Sequence, residues 1–251
     1  MKFVRYLYQG EAHWGWHYEG KTGLLAGDIF GHHRRLEANL PNNEIQYLAP
    51  VLPSKIVCVG RNYRAHIEEH NAETPKMPLI FLKPPSSIIG NHDPIKLPPQ
   101  SNVVEHEAEL GVVIGRKGRW IEPEKAMDYV FGYTICNDVT ARDLQRSDDQ
   151  WTRAKGFDTF CPVGPYITTN FDASDALIIC KVNDQVRQMA STRDMIFPLE
   201  QIIAFISSFM TLEPGDLILT GTPGGVGLLQ PGDKVEIQID GLGCLFNPVI
   251  N

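Results

Sequence analysis

Glu107 and Glu109 are separated by one alanine and run straight into the apolar stretch Leu110-Gly111-Val112-Val113-Ile114. Residues i and i+2 of an extended chain face the same side, so the spacing sets two carboxylates next to each other. Two like charges there repel unless a cation compensates them. A third carboxylate, Asp138, ends another apolar run, Phe131 to Cys136. Three carboxylates with open positions suit Mg2+ or Mn2+, which keep water or substrate oxygens in their shell. The same residue types also suit a solvated strand edge carrying exposed acids.

Three further pieces offer chemistry. Gly60-Arg61-Asn62-Tyr63-Arg64-Ala65-His66-Ile67-Glu68-Glu69-His70 follows an apolar run and turns polar. A helix there puts His66 and Glu69 on one face. A carboxylate bonded to imidazole raises its basicity, which suits activation of water. A solvated polar pair has the same spacing. Trp151-Thr152-Arg153-Ala154-Lys155-Gly156 places a lysine downstream of the carboxylates, and Lys83 follows Ile80-Phe81-Leu82. Either lysine could stabilise a developing enolate or bind a carboxylate, or lie at the surface. Leu219-Thr220-Gly221-Thr222-Pro223-Gly224-Gly225-Val226-Gly227 offers backbone N–H groups and a hydroxyl to an anion. It lacks the Gly-Lys-Ser/Thr ending of a nucleotide loop.

The elements that must hold these groups are mostly strands. Apolar runs predict them at 56–59, 79–82, 109–114, 130–136, 163–168, 177–182, 217–220 and 234–239, with Pro-, Gly- and Asp-rich turns between. Leu199, Ile202, Ile203, Ile206, Phe209 and Met210 predict a helix over 198–210, with Pro198 in its first turn. Shorter helices are expected near 64–70, 123–128 and 140–149. Residues 1–52 are rich in glycine and aromatics and read as short strands, closed by Pro41, Pro50 and Pro53. His32-His33 reads as a surface turn, because neighbours on a strand point to opposite faces. The expected architecture is a mixed, β-rich α+β fold, with a small N-terminal β domain at 1–52 and a catalytic domain at 53–251.

Composition narrows the function classes. The chain has 251 residues, 43 % hydrophobic and 21 % charged, which excludes bulk disorder. A net charge of −7 argues against nucleic acid or an anionic membrane surface as partner. No apolar run approaches the ~20 residues of a membrane span. The five cysteines have no CxxC pairing and sit mostly in apolar runs, so they read as buried thiols of a reducing compartment. No secretory signal is expected, and the chain reads as cytoplasmic.

Taken in order, several stretches resemble the fumarylacetoacetate hydrolase family, closest to its short acylpyruvase and oxaloacetate decarboxylase-like members. They are Val59-Gly60-Arg61-Asn62-Tyr63, Ile80-Phe81-Leu82-Lys83-Pro84, Glu107-Ala108-Glu109-Leu110-Gly111, Asn137-Asp138-Val139-Thr140-Ala141-Arg142-Asp143, Ala154-Lys155, Met195-Ile196-Phe197 and Leu217 to Gly227. The resemblance implies a β-sandwich roll and a homodimer. It implies metal ligation by Glu107, Glu109 and Asp138, with Mg2+ as the ion and Mn2+ or Ca2+ as substitutes. It implies a His66–Glu69 dyad on a lid, and a pocket lined by Arg61, Tyr63, Lys83, Gln145, Lys155 and Thr222. The implied substrate is a small 2-oxo acid. Its C3–C4 bond breaks by acylpyruvate hydrolysis or oxaloacetate decarboxylation, leaving an enolate that the metal and Lys155 stabilise. Isomerisation of 2-hydroxyhepta-2,4-diene-1,7-dioate, or decarboxylation of 5-oxopent-3-ene-1,2,5-tricarboxylate, in aromatic catabolism is the alternative within enzymes. A non-catalytic, metal-stabilised ligand-binding protein is the alternative outside them.

Overall fold

Apolar residues at successive positions, rather than alternate ones, mark strands that are covered on both faces. Ile56-Val57-Cys58-Val59 is such a run, and its side chains divide by parity. Val57 and Val59 enter one hydrophobic cluster, while Ile56 and Cys58 enter another. Leu110 and Val112 face the first cluster and Val113 the second. Ile218 parts in the same way from Leu217 and Leu219. A computed structural model describes residues 1–40 and 44–251, so Pro41 lies outside the described residues.

Among the described residues the central sheet has 12 strands. Its middle runs Cys161–Thr168, Val130–Asn137, Ala108–Ile114, Leu217–Leu219, Ile56–Gly60 and Leu79–Lys83. The N-terminal strands continue it. Lys2–Tyr8 pairs with Cys161–Thr168 through Lys2↔Thr168 and Phe3↔Ile167, and Glu11–Tyr18, Lys21–Gly27 and His33–Arg35 follow outward. A second sheet of five strands runs Gln185–Ser191, Leu177–Val182, Lys234–Ile239, Gly243–Ile250 and Ile95–Lys96. Its inward residues Ile178, Cys180, Ile237 and Leu245 share the first cluster with Leu110, Val112 and Ile135. Among the described residues these are the two larger of three sheets; they share the first cluster, and with few helices they make a mixed, β-rich α+β fold.

The predicted strands all form, within a few residues at their ends. Gln185–Ser191 and Gly243–Ile250 were not predicted, because polar residues break their apolar pattern. The long helix spans Leu199–Phe209 and buries Leu199, Ile202, Ile203 and Ile206. Pro198 is extended and caps it from outside instead of joining its first turn. The segment expected as a helix at 140–149 is a short strand, Thr140–Ala141, followed by the helix Arg142–Ser147. The stretch expected as a helix at 123–128 is a 3-10 helix, Pro123–Tyr129. His32 and His33 are exposed, and His33 opens a short strand. All five cysteines are free thiols, four of them buried. No described helix is long and apolar enough to cross a membrane.

Candidate active site

Antiparallel pairing brings the three carboxylates together. Ala108–Ile114 pairs with Val130–Asn137 in the register Ala108↔Asn137 and Glu109↔Cys136. Just beyond the ladder, the Asp138 N–H donates to the Glu107 carbonyl at 2.8 Å, and the Glu107 N–H donates to Asn137 Oδ1 at 2.9 Å. Glu107, Glu109 and Asp138 each present an oxygen within 4.8 Å of the others. Their exposures are 4, 2 and 1 %. A solvated edge of exposed acids is therefore not what these residues form.

Buried anions need partners. Lys155 Nζ donates to Glu107 Oε2 at 2.8 Å and to Asp138 Oδ2 at 2.5 Å. It comes from the single turn Thr152–Lys155, where sequence gave no helix, and is 2 % exposed. Arg142 donates to Glu107 Oε1, to Glu105 Oε2 at 2.6 Å and to Gln145 Oε1 at 2.6 Å. Lys83 approaches Asp138 Oδ1 at 2.8 Å and donates to the Val139 carbonyl at 3.1 Å. Glu109 Oε2 accepts the Gly221 N–H at 2.7 Å.

The electrostatics separate the two glutamates. Burial by itself raises the Glu107 pKa, but Lys155, Arg142 and His66 outweigh it and hold the group well below the usual carboxylate range. Burial, and then Asp138 and Glu107, drive Glu109 well above that range, against the smaller pull of Lys155 and the Gly221 N–H. Glu109 is thus the carboxyl whose negative charge the protein leaves undercompensated. An all-oxygen donor set with one undercompensated carboxylate fits a hard divalent cation. Glu107, Glu109 and Asp138 can hold one.

Above the carboxylates lies a cavity of about 390 Å³. His66 enters it from the helix Arg64–Glu69 and is 8 % exposed. Burial lowers its pKa to about 4; the Glu107 charge opposes this, and His70, Arg142 and Lys155 add to it. Glu69 Oε2 stands 3.8 Å from His66 Nδ1 and accepts the Gly225 N–H at 3.0 Å. The glycine-rich loop therefore serves both carboxylates, with Gly221 on Glu109 and Gly225 on Glu69. Gly221 has φ +100°, and a Cβ there would sit 2.6 Å from the Asn62 Cβ. Asn62 is itself fixed, donating to the Thr220 and Phe197 carbonyls and accepting from the Phe197 N–H. Arg61 turns into the cavity with φ +56°, a left-handed conformation unusual for a long side chain.

Nine of the eleven residues singled out from sequence line this cavity: Arg61, His66, Glu69, Glu107, Glu109, Asp138, Gln145, Lys155 and Thr222. The other two stand apart from its lining. Lys83 supports Asp138 from behind, at 1 % exposure. Tyr63 is 1 % exposed within the hydrophobic core, and its buried hydroxyl has no hydrogen-bond partner. A motif match carries residue identity but not side-chain placement, and Tyr63 is packed in the core cluster. Sequence reasoning passed over Arg142, Gln188 and His70. Arg142 stood inside a quoted motif, but its partners Glu105 and Glu107 lie 37 and 35 residues away. Gln188 comes from the unpredicted strand Gln185–Ser191. It donates to Thr222 Oγ1 at 2.7 Å and accepts the Ala108 N–H at 3.0 Å, tying the loop to the carboxylate strand.

Residues 55–250 match the model of the fumarylacetoacetate (FAA) hydrolase C-terminal family, and residues 1–50 match the Rv2993c-like N-terminal family. Human oxaloacetate tautomerase FAHD2A, mitochondrial, is 47 % identical over 224 residues, covering 84 % of this chain and 71 % of that protein. The crystal structure of 2-hydroxyhepta-2,4-diene-1,7-dioate isomerase from Mycobacterium marinum superposes with a TM-score of 0.93 at 44 % identity, covering 100 % of this chain and 98 % of the other. A fumarylacetoacetate hydrolase from Exiguobacterium antarcticum gives 0.88 at 37 % identity, covering 100 % and 99 %. These matches span the carboxylates, the helix and the glycine-rich loop alike, and the chain belongs to the fumarylacetoacetate hydrolase family.

Proposed function

We propose that the chain is a divalent-cation-dependent enzyme of small 2-oxo acids whose core step moves a proton at the carbon beside the 2-oxo group, as in tautomerisation or double-bond isomerisation. One observation carries this reading. His66 is a buried imidazole in the carboxylate cavity, and its Nδ1 has no hydrogen-bond partner. With a pKa near 4 it is neutral at pH 7. A neutral imidazole can take the proton of an enol hydroxyl or return one to carbon. In the enol-to-keto direction the oxygen loses one proton and C3 gains one, so nothing else enters or leaves. Relatives named as a tautomerase and an isomerase support the same step.

Glu107, Glu109 and Asp138 would hold the cation, Mg2+ in this proposal, with Mn2+ or Ca2+ as substitutes. When bound, it supplies Lewis-acid polarisation of the substrate's oxygens. The protein's own groups do the rest. Lys155 and Arg142 are the cations that both meet the carboxylates and line the cavity, and they attract the substrate carboxylate. Arg61, Gln145 and Thr222 orient it from the cavity wall. Phe81 and Trp151 pack edge to face at 5.3 Å and close one side against water.

A second reading is C3–C4 cleavage of an acylpyruvate or of oxaloacetate. It is favoured by His66 and Glu69 facing each other one helical turn apart, 3.8 Å between atoms. If Glu69 left Gly225 for His66, the pair would form a base for water. The deciding experiment gives the purified protein enol-oxaloacetate and acetylpyruvate, each with Mg2+ and with excess EDTA. Mg2+-dependent loss of enol absorbance without pyruvate supports proton transfer alone. Mg2+-dependent release of pyruvate from acetylpyruvate selects cleavage. Turnover of neither overturns both.

We further propose a homodimer, testable by light scattering on the eluting protein, and a boundary between residues 52 and 53, testable by limited proteolysis.

A further inference from the structure

We propose that His66, Glu69 and His70 form a second cation site, separate from the carboxylate centre and suited to a borderline transition ion such as Zn2+. Each residue offers a ligand atom, and these lie within 4.8 Å of one another. His66 is 8 % exposed, and its Nδ1 is buried without a hydrogen-bond partner. Nε2 of His70 is also buried without one. Leaving two ring nitrogens unpartnered within one turn is costly unless something binds them. The rings stand edge to face with centroids 4.6 Å apart, so neither satisfies the other.

The spacing suits a metal. Two histidines four apart on a helical face are a recurrent zinc-binding arrangement, and a residue three along shares that face. Zn–N bonds of 2.0–2.1 Å place two ligands of a tetrahedral ion about 3.4 Å apart. The side chains must therefore close by about 1 Å. His70 is the residue that ends the helix, outside its regular turns, and can follow the ion. Donor chemistry separates the two centres. Imidazole nitrogens favour Zn2+, Ni2+ or Cu2+, whereas an all-carboxylate set favours Mg2+ or Mn2+. Each centre can therefore fill without emptying the other.

The functional consequence rests on the proton-transfer role proposed for His66. An ion on this ring removes the lone pair that accepts the proton, so Zn2+ would inhibit even when Mg2+ is saturating.

The test titrates Co2+, a spectroscopic stand-in for Zn2+, into the full chain under saturating Mg2+. One equivalent giving visible d–d bands, displaced by Zn2+, is expected. His70→Ala should weaken Co2+ binding by at least about tenfold, since even outer partners of ligands cost 10–100-fold. Glu69→Gln, at a more exposed position, provides a second variant should His70→Ala fail to fold. Affinity unchanged in both variants, or complete displacement of Co2+ by excess Mg2+, would overturn the site. This readout needs no turnover, so it stands apart from the fate of the proposed reaction. The concentration of Zn2+ giving half inhibition should rise by the same factor in His70→Ala. Zn2+ bound without inhibition would overturn the inhibitory consequence.

Discussion

The carboxylate centre and the helix Arg64–Glu69 face the same cavity but are built in opposite ways. The carboxylates stand on or next to paired strands, at 4 % exposure or less. Their oxygens meet Lys155, Arg142, Lys83 and the Gly221 N–H. The helix has six residues and no side-chain cap, and only His66 and Ile67 of it are buried. Glu69 touches the glycine loop by one hydrogen bond, and His66 is held by none at Nδ1. The helix is too short to be stable by itself, so its position depends on packing. The contrast assigns fixed geometry to the carboxylate half of the site and adjustability to the half for which proton transfer is proposed.

The most severe break of this contrast should come from Glu109→Ala. Turnover should fall to background, and calorimetry should show Mg2+ affinity lowered by about 10–100-fold or more. Retained tight Mg2+ binding would remove Glu109 from the ligand set. His66→Ala comes next. It should lower kcat by roughly 10²–10⁴-fold, the range for a lost acid–base group, while Mg2+ affinity stays within a factor of a few. Comparable losses in both would mean that the two halves are not separable.

The glycine loop that joins the halves sharpens the comparison through stability. Gly221→Ala forces a Cβ onto Asn62 at 2.6 Å and keeps φ at +100°, whereas Gly232 has φ +94° with nothing within 4 Å. Thermal unfolding should show the first destabilised by more than the roughly 1–3 kcal/mol of backbone strain alone, and the second by that strain only. Equal effects would mean that the close approach to Asn62 relaxes freely. The smallest effect is on pH dependence. His66 in the fold holds its proton only below about pH 4. The acid limb of kcat/KM should therefore fall near pH 4, well under the 6.5 of a free imidazole. The unfolded chain binds this proton already near 6.5, so stability from His66 is complete above that pH and is lost as pH falls toward 4. An activity limb at 6.5 would place His66 in water.

The strands were legible because their apolar runs are buried on two faces. Ile56 to Val59 and Leu110 to Ile114 carry that pattern without help from distant residues. Glu107 and Glu109 were legible for the opposite reason, since paired charges beside such a run demand an explanation. What escaped depends on contacts that no local pattern encodes. Gln188 lies in a strand with exposed residues on either side, and only the fold sets it against His106, Ala108 and Thr222. Arg142 reads locally as one more polar residue of a helix, yet it is 3 % exposed against Glu107. Tyr63 was legible in identity, while its burial in the core is set by the fold.

The pairing of Lys2–Tyr8 with Cys161–Thr168 has a consequence for how the molecule is made. Lys2 meets Thr168 across the ladder. At roughly 5–20 residues per second of synthesis, the first strand leaves the ribosome about 10–30 s before its partner exists. Its hairpin with Glu11–Tyr18 can close at once, but the Lys2–Phe3 edge must wait. A nascent chain stalled before residue 161 therefore offers an unfilled strand edge to chaperones, and the central sheet gains its N-terminal extension only after most of the chain has emerged.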